Sequence, residues 1–201
     1  MDSFIFDIGG VLINFNIQLL LKKFAAAHHC EAADIQDVFQ SDWVYRVETG
    51  KISSLDFFND HVKTYLGRMS YDEWIAAWME NYALNQPGMG LLEQVKKKGY
   101  ATYLLSNLAE HHKIAIERKF PDFFGLCDRN FLSYEMGLFK PELEIYREVC
   151  REIHQEPGDC IFFDDTAVNV AGALEAGMRA FQFSNDRLAG IVNQIRELKA
   201  V

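Results

Sequence analysis

Asp7 ends an apolar run, Phe4-Ile5-Phe6-Asp7, and is followed at once by Ile8-Gly9-Gly10-Val11-Leu12. Such a run reads as a buried strand that delivers a carboxylate to the carboxyl edge of a sheet, where open α/β folds place their ligands. A carboxylate there can attack phosphorus or bind a metal, and taken alone it equally suits a turn cap. A second β-rich run, Tyr100-Ala101-Thr102-Tyr103-Leu104-Leu105, stops at Ser106-Asn107 shortly before a helical stretch that begins near Glu110. A hydroxyl and the free N–H groups of a helix start suit phosphate oxygens, although the same residues often do no more than start a helix. In Gly137-Leu138-Phe139-Lys140-Pro141 the proline excludes helix for Lys140 and is expected to open the helix that follows. A lysine held this way can carry charge beside a nucleophilic carboxylate. The run Cys160-Ile161-Phe162-Phe163 ends in Asp164-Asp165-Thr166. Adjacent like charges repel, so a cation is the natural reason to keep two carboxylates at one strand end.

The elements that position these residues follow from hydrophobic period. From about Asn16 to about Gln86 the pattern is helical, with the sets Leu19-Leu20-Phe24, Ile35-Val38-Phe39, Leu55-Phe58-Val62 and Trp74-Ile75-Trp78-Met79. This predicts a helical bundle inserted after the first strand, with Trp74 and Trp78 in its core. Beyond Pro87-Gly88 helix and strand alternate. Helices are expected near Leu91 to Lys98, Glu110 to Lys119, Glu142 to His154, Val168 to Glu175 and Leu188 to Leu198, and strands around Tyr103, Asn130 to Leu132, Phe162 and Arg179 to Phe183. Alternation of this kind gives a parallel sheet with helices on both faces. Within the insertion, Asp42-Trp43-Val44-Tyr45-Arg46 combines aromatic, basic and acidic groups that suit a hydroxylated organic molecule. The same segment is also satisfied by packing of Trp43 and Tyr45, with Arg46 paired to Glu48 at the surface. Tyr134, Glu135 and Met136 fall on the loop before Lys140, within reach of a leaving group.

Composition bounds the partners. The 201 residues are 49% hydrophobic and carry a net charge of -9, enough for one sizeable core and a small subdomain but unsuited to a nucleic-acid groove. Lys96-Lys97-Lys98, the basic run, ends a helix, where cations are favoured by the helix dipole. Cys30, Cys127, Cys150 and Cys160 have no metal-ligand spacing, and free thiols without a leader segment predict a cytoplasmic location. No apolar stretch approaches the roughly 20 residues that span a bilayer. His28 and His29 are neighbours, which face different ways on a helix, and read as a helix end rather than a metal pair.

The four segments around Asp7, Ser106, Lys140 and Asp164-Asp165, in this order, resemble the haloacid dehalogenase-like hydrolase superfamily, and Asn169, Ala173 and Gly177 continue that family's run after the acid pair. The resemblance implies an α/β fold: a Rossmann-like three-layer parallel sheet core made of residues 1–15 and 87–201, with a type-one helical cap, 16–86, that chooses the substrate. It implies Asp7 as nucleophile, Ser106 and the backbone N–H of Asn107 as phosphate binders, and Lys140 as the motif-three lysine. Mg²⁺ would be held by Asp7, the Gly9 carbonyl and Asp165, with Asp164 helping through water or Lys140. Trp43 and Arg46 are the substrate contacts expected from the cap. The implied reaction is Mg²⁺-dependent hydrolysis of a small phosphorylated metabolite, with a sugar phosphate as a candidate, by a monomer or weak dimer.

One departure matters. Phosphatases of this superfamily usually read Asp-x-Asp at the first motif, the second carboxylate moving the proton, and here that position is Gly9. Asp7-Ile8-Gly9-Gly10-Val11 is similar instead to the Asp-Leu-Gly-Asn-Val of a branch near the sugar-1-phosphate phosphatases and the amino-terminal phosphatase domains of epoxide hydrolases. Without that acid, substrates with good leaving groups should be preferred and the second step should be slow, unless a group from the cap moves the proton. Two other readings stand beside this one: a metal-independent 2-haloacid dehalogenase, whose halide leaves without a proton, and a catalytically impaired sensor of a phosphate ligand.

Overall fold

Strand β1 (Ser3–Phe6) is wholly buried, which a strand of four residues achieves only at the centre of a sheet covered on both faces. The computed structural model describes residues 2–28 and 42–198, and there β1 is the middle of five parallel strands. The order is β5 (Arg129–Leu132), β4 (Ala101–Ser106), β1, β6 (Cys160–Asp164), β7 (Arg179–Gln182). Side chains alternate across this sheet. Phe4, Phe6, Leu104 and Phe163 face one way and join Leu91, Leu92, Ile116 and Ile191. Ile5, Leu105 and Phe162 face the other way and join Ile145, Tyr146, Val149 and Ala173. Two apolar clusters on opposite faces make the three-layer α/β core that the alternation of helix and strand predicts.

The helices, in chain order, are α1 (Ile17–His28), α2 (Asp42–Glu48), α3 (Ser54–Phe57), α4 (Lys63–Leu66), α5 (Tyr71–Asn81), α6 (Gln86–Lys97), α7 (Glu110–Lys119), α8 (Ser133–Met136), α9 (Leu143–Glu152), α10 (Ala167–Glu175) and α11 (Leu188–Leu198). A π-helical turn, Phe58–Val62, links α3 to α4. The set Ile35, Val38 and Phe39, with His29 and Cys30, lies outside the described residues. Cys127, Cys150 and Cys160 are buried thiols, and the last two, from α9 and β6, meet at 3.6 Å. Among the described residues no helix is long and apolar enough to cross a membrane.

Four local expectations are revised. The insertion is bracketed by a strand pair too short to carry a period, β2 (Ile13–Asn14) against β3 (Ala83–Leu84), where continuous helix was expected. Pro87-Gly88 falls inside the first turn of α6 instead of before it, since proline suits a helix start. A Cβ on Gly88 would lie 1.9 Å from the Val11 carbonyl oxygen, so the glycine permits that approach. Asn85 fixes the same junction, donating from its side chain to Val11 O at 2.9 Å. Pro141 precedes α9 by a turn instead of opening it, with Glu142 N donating to Phe139 O. Tyr134 to Met136 form the short helix α8 in place of a loop, and Tyr134 and Glu135 bond to each other.

The cap and the core share one hydrophobic cluster. Helix α5 starts at a capping box, Ser70 with Glu73, and lays Trp74 and Trp78 on α7. The Trp74 ring centroid is 4.3 Å from His111 and that of Trp78 is 4.4 Å from His112. Trp74 has no exposed surface and touches His111 of α7, so it ties the cap to the core as well as filling the cap. Trp74→Ala should cost about 3–5 kcal/mol. Denaturant unfolding checks this, and a loss under 1 kcal/mol would mean that cap and core are not packed as one unit.

Candidate active site

The sheet brings together what the chain keeps 157 residues apart. Phe6 pairs with Leu104 on one side and Phe163 on the other, so Asp7 emerges level with Asp164 and beside Ser106. The backbone N–H of Asp7 continues the ladder to Phe163 O at 2.9 Å.

Lys140 sits between the carboxylates. Its Nζ lies 2.6 Å from Asp164 Oδ2 and 3.1 Å from Asp7 Oδ1, and it donates to Leu105 O at 3.2 Å. The loop that carries it is clamped by Asn107, whose Nδ2 donates to Lys140 O and whose Oδ1 accepts from Lys140 N, both at 2.9 Å. The side chain of Asn107 thus positions the lysine. Asp164 is fully enclosed: besides Lys140 it accepts from Thr166 N at 2.8 Å and, through both oxygens, from Asn169 Nδ2 at 3.1 Å. Asp165 is exposed, its Oδ1 accepting from the Thr166 hydroxyl at 3.2 Å.

Oxygens of Asp7, Asp164 and Asp165 lie within 4.8 Å of one another. Three carboxylates against one ammonium leave the cluster short of positive charge, and an all-oxygen donor set is what Mg²⁺ takes. The bonds already made by Asp164 leave Asp7 and Asp165 as the carboxylates free to ligate, and Gly9 lines the same cavity. The two glycines of the first motif now have separate reasons. Gly10 has φ of 68°, and a Cβ there would lie 2.3 Å from Asp165 Oδ2. At Gly9 a Cβ would meet the Phe15 ring at 3.1 Å, so this aromatic stands where a side chain at position 9 would project.

Burial pushes the Asp7 carboxyl up to about 7, Lys140 pulling against this and Asp164 adding to it. Burial also disfavours the charged form of Lys140, but Asp7 and Asp164 outweigh it and hold the ammonium above its usual range. Asp165, exposed but partly desolvated by its neighbours, is raised by that desolvation and by Asp164.

Above the cluster lies a cavity of about 600 Å³ between cap and core. Asp7, Gly9, Ser106, Asn107, Lys140 and Asp165 line its floor, while Phe15, Val44, Val47, Phe57, Trp78 and Phe139 form much of its wall. Trp43 and Arg46, expected as substrate contacts, are not among the lining residues. The Arg46 guanidinium lies 4.7 Å from the Trp43 ring centroid, and Trp43 stacks on His61 at 5.2 Å. The face of α2 turned to the cavity is instead Val44, Val47 and Glu48. Glu48 was expected as a surface partner of Arg46. Val47 and Glu48 follow Val44 by three and four residues, the helical signal for a shared face. Burial raises the Glu48 carboxyl to about 7, opposed by Lys140 and assisted by Asp7. His111 and His112 also line the cavity and went unremarked in the sequence. Their Nδ1 atoms bond to Ser54 Oγ at 3.0 Å and Tyr82 OH at 2.8 Å. Burial lowers both imidazoles, His112 to about 3, so both are neutral.

A model of the haloacid dehalogenase-like hydrolases matches residues 1–177. The chain is 27% identical over 196 residues to a D-ribitol-5-phosphate phosphatase of Bacteroides thetaiotaomicron, covering 92% of this chain and 93% of that one. It is 28% identical over 183 residues to the sesquiterpene phosphatase astK of Aspergillus oryzae, covering 87% and 85%. A solved haloacid dehalogenase family enzyme from B. thetaiotaomicron, in complex with magnesium and inorganic phosphate, superposes with a TM-score of 0.80 at 28% identity over 92% of this chain and 95% of that one. The chain belongs to the haloacid dehalogenase-like hydrolases. Its place among them is with the phosphatases.

Two outcomes follow from the carboxylate geometry. Asp164→Ala leaves a buried ammonium short of a partner and should cost about 3–5 kcal/mol of stability, whereas Asp165→Ala should leave the melting temperature near the parent's and abolish Mg²⁺ binding. Calorimetric metal titration beside thermal melting checks both, and equal Mg²⁺ affinity in Asp165→Ala and parent would remove Asp165 from the metal site. The second concerns pH. A cation takes the ionised form of Asp7, whose carboxyl burial raises to about 7, so affinity should fall as pH drops through 7, with proton release approaching one per ion bound below that pH and vanishing above it. Titration in buffers of different ionisation heat counts that proton.

Proposed function

We propose that this chain hydrolyses phosphomonoesters through an aspartyl-phosphate formed on Asp7. The observation that carries the reading is the buried Lys140 bridging Asp7 and Asp164 at the open edge of the sheet, with Asp165 beside them. Asp7, the Gly9 carbonyl and Asp165 would hold Mg²⁺, which when bound neutralises phosphate oxygens and keeps Asp7 ionised. An Asp7 oxygen attacks phosphorus and the bond to the leaving oxygen breaks; water then attacks the same phosphorus and restores the carboxylate. Ser106 and the backbone N–H of Asn107 bind the remaining oxygens. Lys140 offsets the charge that builds on the transferring group, the term that dominates phosphoryl transfer. Asp164 positions Lys140. Residues 16–86 act as the cap that chooses the substrate.

The dehalogenase reading would keep three carboxylates around one lysine with no cation, which is strongly repulsive. A sensor has no use for the nucleophile and lysine that this chain retains.

For the substrate, a sugar phosphate fits the D-ribitol-5-phosphate phosphatase relative. A phosphate ester of an apolar alcohol is supported by the cavity wall, where Phe15, Val44, Val47 and Phe139 offer no hydrogen bond and the two histidines are engaged within the protein. The relative named as a sesquiterpene phosphatase agrees with that second class.

Phosphate release from ribitol 5-phosphate, geranyl phosphate and p-nitrophenyl phosphate should require Mg²⁺ in each productive case, and Asp7→Asn should lose several orders of magnitude in kcat with the fold retained. Turnover that persists in chelator, or halide release from a 2-haloacid, would overturn the proposal.

A further inference from the structure

We infer that Glu48, delivered by the cap, is the general acid and base of this site, filling the role that Gly9 leaves empty. The inference rests on the phosphatase reading above.

The placement of Glu48 is built rather than incidental. Its helix is anchored to both loops that carry the catalytic residues. Tyr45, one turn earlier, packs its ring edge-on to Phe139 at 5.4 Å and donates its hydroxyl to Glu142 Oε1 at 3.2 Å, on either side of Lys140-Pro141. The Glu48 carbonyl itself accepts from Ser133 Oγ, and the same hydroxyl oxygen accepts from Leu108 N at 2.9 Å, two residues beyond Ser106. Gly50 closes the turn with φ of 67°, its Cα so near the Tyr134 carbonyl that a Cβ would lie 2.2 Å from that oxygen. Backbone on both sides of Glu48 is therefore locked to the core. Its carboxyl, in contrast, makes no hydrogen bond or ion pair among the described residues and lines the cavity with Asp7.

The other titratable groups facing that cavity are committed elsewhere. Asp7 is the nucleophile, Asp165 a metal ligand and Lys140 a cation shared by two carboxylates. Burial lowers both His111 and His112 and keeps them neutral, so neither carries the imidazolium proton that a general acid would give. Tyr82 has its hydroxyl raised by burial and bonded to His112. Glu48 remains, with a proton that is exchangeable near neutral pH. The Phe15 ring lies over Gly9, where a side chain at that position would project, while Glu48 reaches the same cavity from α2.

The proton balance is complete with Glu48 alone. As Asp7 Oδ bonds to phosphorus and the ester P–O bond breaks, the leaving alkoxide takes the proton of the Glu48 carboxylic acid and departs as the alcohol. The Glu48 carboxylate then takes a proton from the water that attacks the aspartyl-phosphate. The Asp7–phosphorus bond breaks, releasing inorganic phosphate and the Asp7 carboxylate, and Glu48 is again protonated.

The test is a leaving-group series, p-nitrophenyl, phenyl and geranyl phosphate, on parent and Glu48→Gln with Mg²⁺ present. The alkyl ester should lose about 100-fold or more in kcat/KM. Formation of the first equivalent of p-nitrophenolate should be nearly unchanged, because that anion leaves without a proton. Its steady release should then be slow, giving a burst of one equivalent per site in rapid mixing, a signature that a merely structural role does not produce. Equal losses across the series, no loss, or no burst would overturn the role of Glu48. A parent inert towards all three esters and towards ribitol 5-phosphate would overturn the phosphatase reading itself, and so tells the two failures apart. Should Glu48→Gln not fold, Glu48→Asp replaces it: the shortened carboxyl slows the alkyl ester more than the nitrophenyl ester, and a uniform effect rejects the proposal.

Discussion

Lys140 has 1% of its surface exposed, and its charge is met by carboxylates on two neighbouring strands. Burying one ammonium costs several kcal/mol unless excellent geometry repays it. Here the repayment fixes most of the site. Asp164 gives every lone pair it can to the lysine, to Asn169 and to the turn at Thr166. Asn107 closes the lysine loop onto the end of β4. Strand register then sets Asp7 opposite. With Lys140 shared by Asp7 and Asp164 and no cation of the protein on Asp165, three carboxylates meet one ammonium, a charge deficit that a bound cation removes. The lysine thus determines which of the acids is structural and which is available to a metal.

The same economy governs the cap. Helices inserted after a strand could hang from the core by flexible ends, yet here their apolar residues belong to the cluster that also contains Phe6, Leu104 and Phe163. The short pair β2–β3 brings the two ends of the insertion together, and Asn85 with Gly88 fixes the return. Trp74 and Trp78 against His111 and His112 do the rest. A cap packed in this way holds its cavity face at a defined distance from the sheet edge, which a group acting on bound substrate requires.

The catalytic floor was legible because strand ends obey register: apolar runs that stop at Asp7, Ser106 and Asp164 bring those residues to one edge whatever the loops do. The five sheet strands and the helices from Glu110 onwards were readable for the same reason, each carrying its own period. The two-residue strands had no period to read, and α8 hides in a polar loop. In the cap, the aromatic and charged look of Trp43 and Arg46 drew attention to one face of α2, while the cation–π contact between them shows that those groups satisfy each other. Chemistry-bearing residue types were a weaker guide there than the helical period, which puts Val44, Val47 and Glu48 on one side. Gly9 was legible as a departure, but the Phe15 ring that lies over it required the structure.

Moving the acid from the first motif to the cap changes what controls the reaction. When nucleophile and acid lie on one loop, proton transfer is available whenever substrate is bound. With Glu48 on α2, it is available only when the cap is seated, since the carboxyl owes its position to Ser133, Phe139 and Glu142 of the core. The walls that seat the cap around substrate include Val44 and Val47 of the same helix. A leaving group that fits against those valines is brought to Glu48, and one that does not fit them loses the proton donor as well as the contact. Selection of the substrate and catalysis of its departure then rest on a single turn of helix, so specificity is expressed in the rate of the chemical step and not in binding alone.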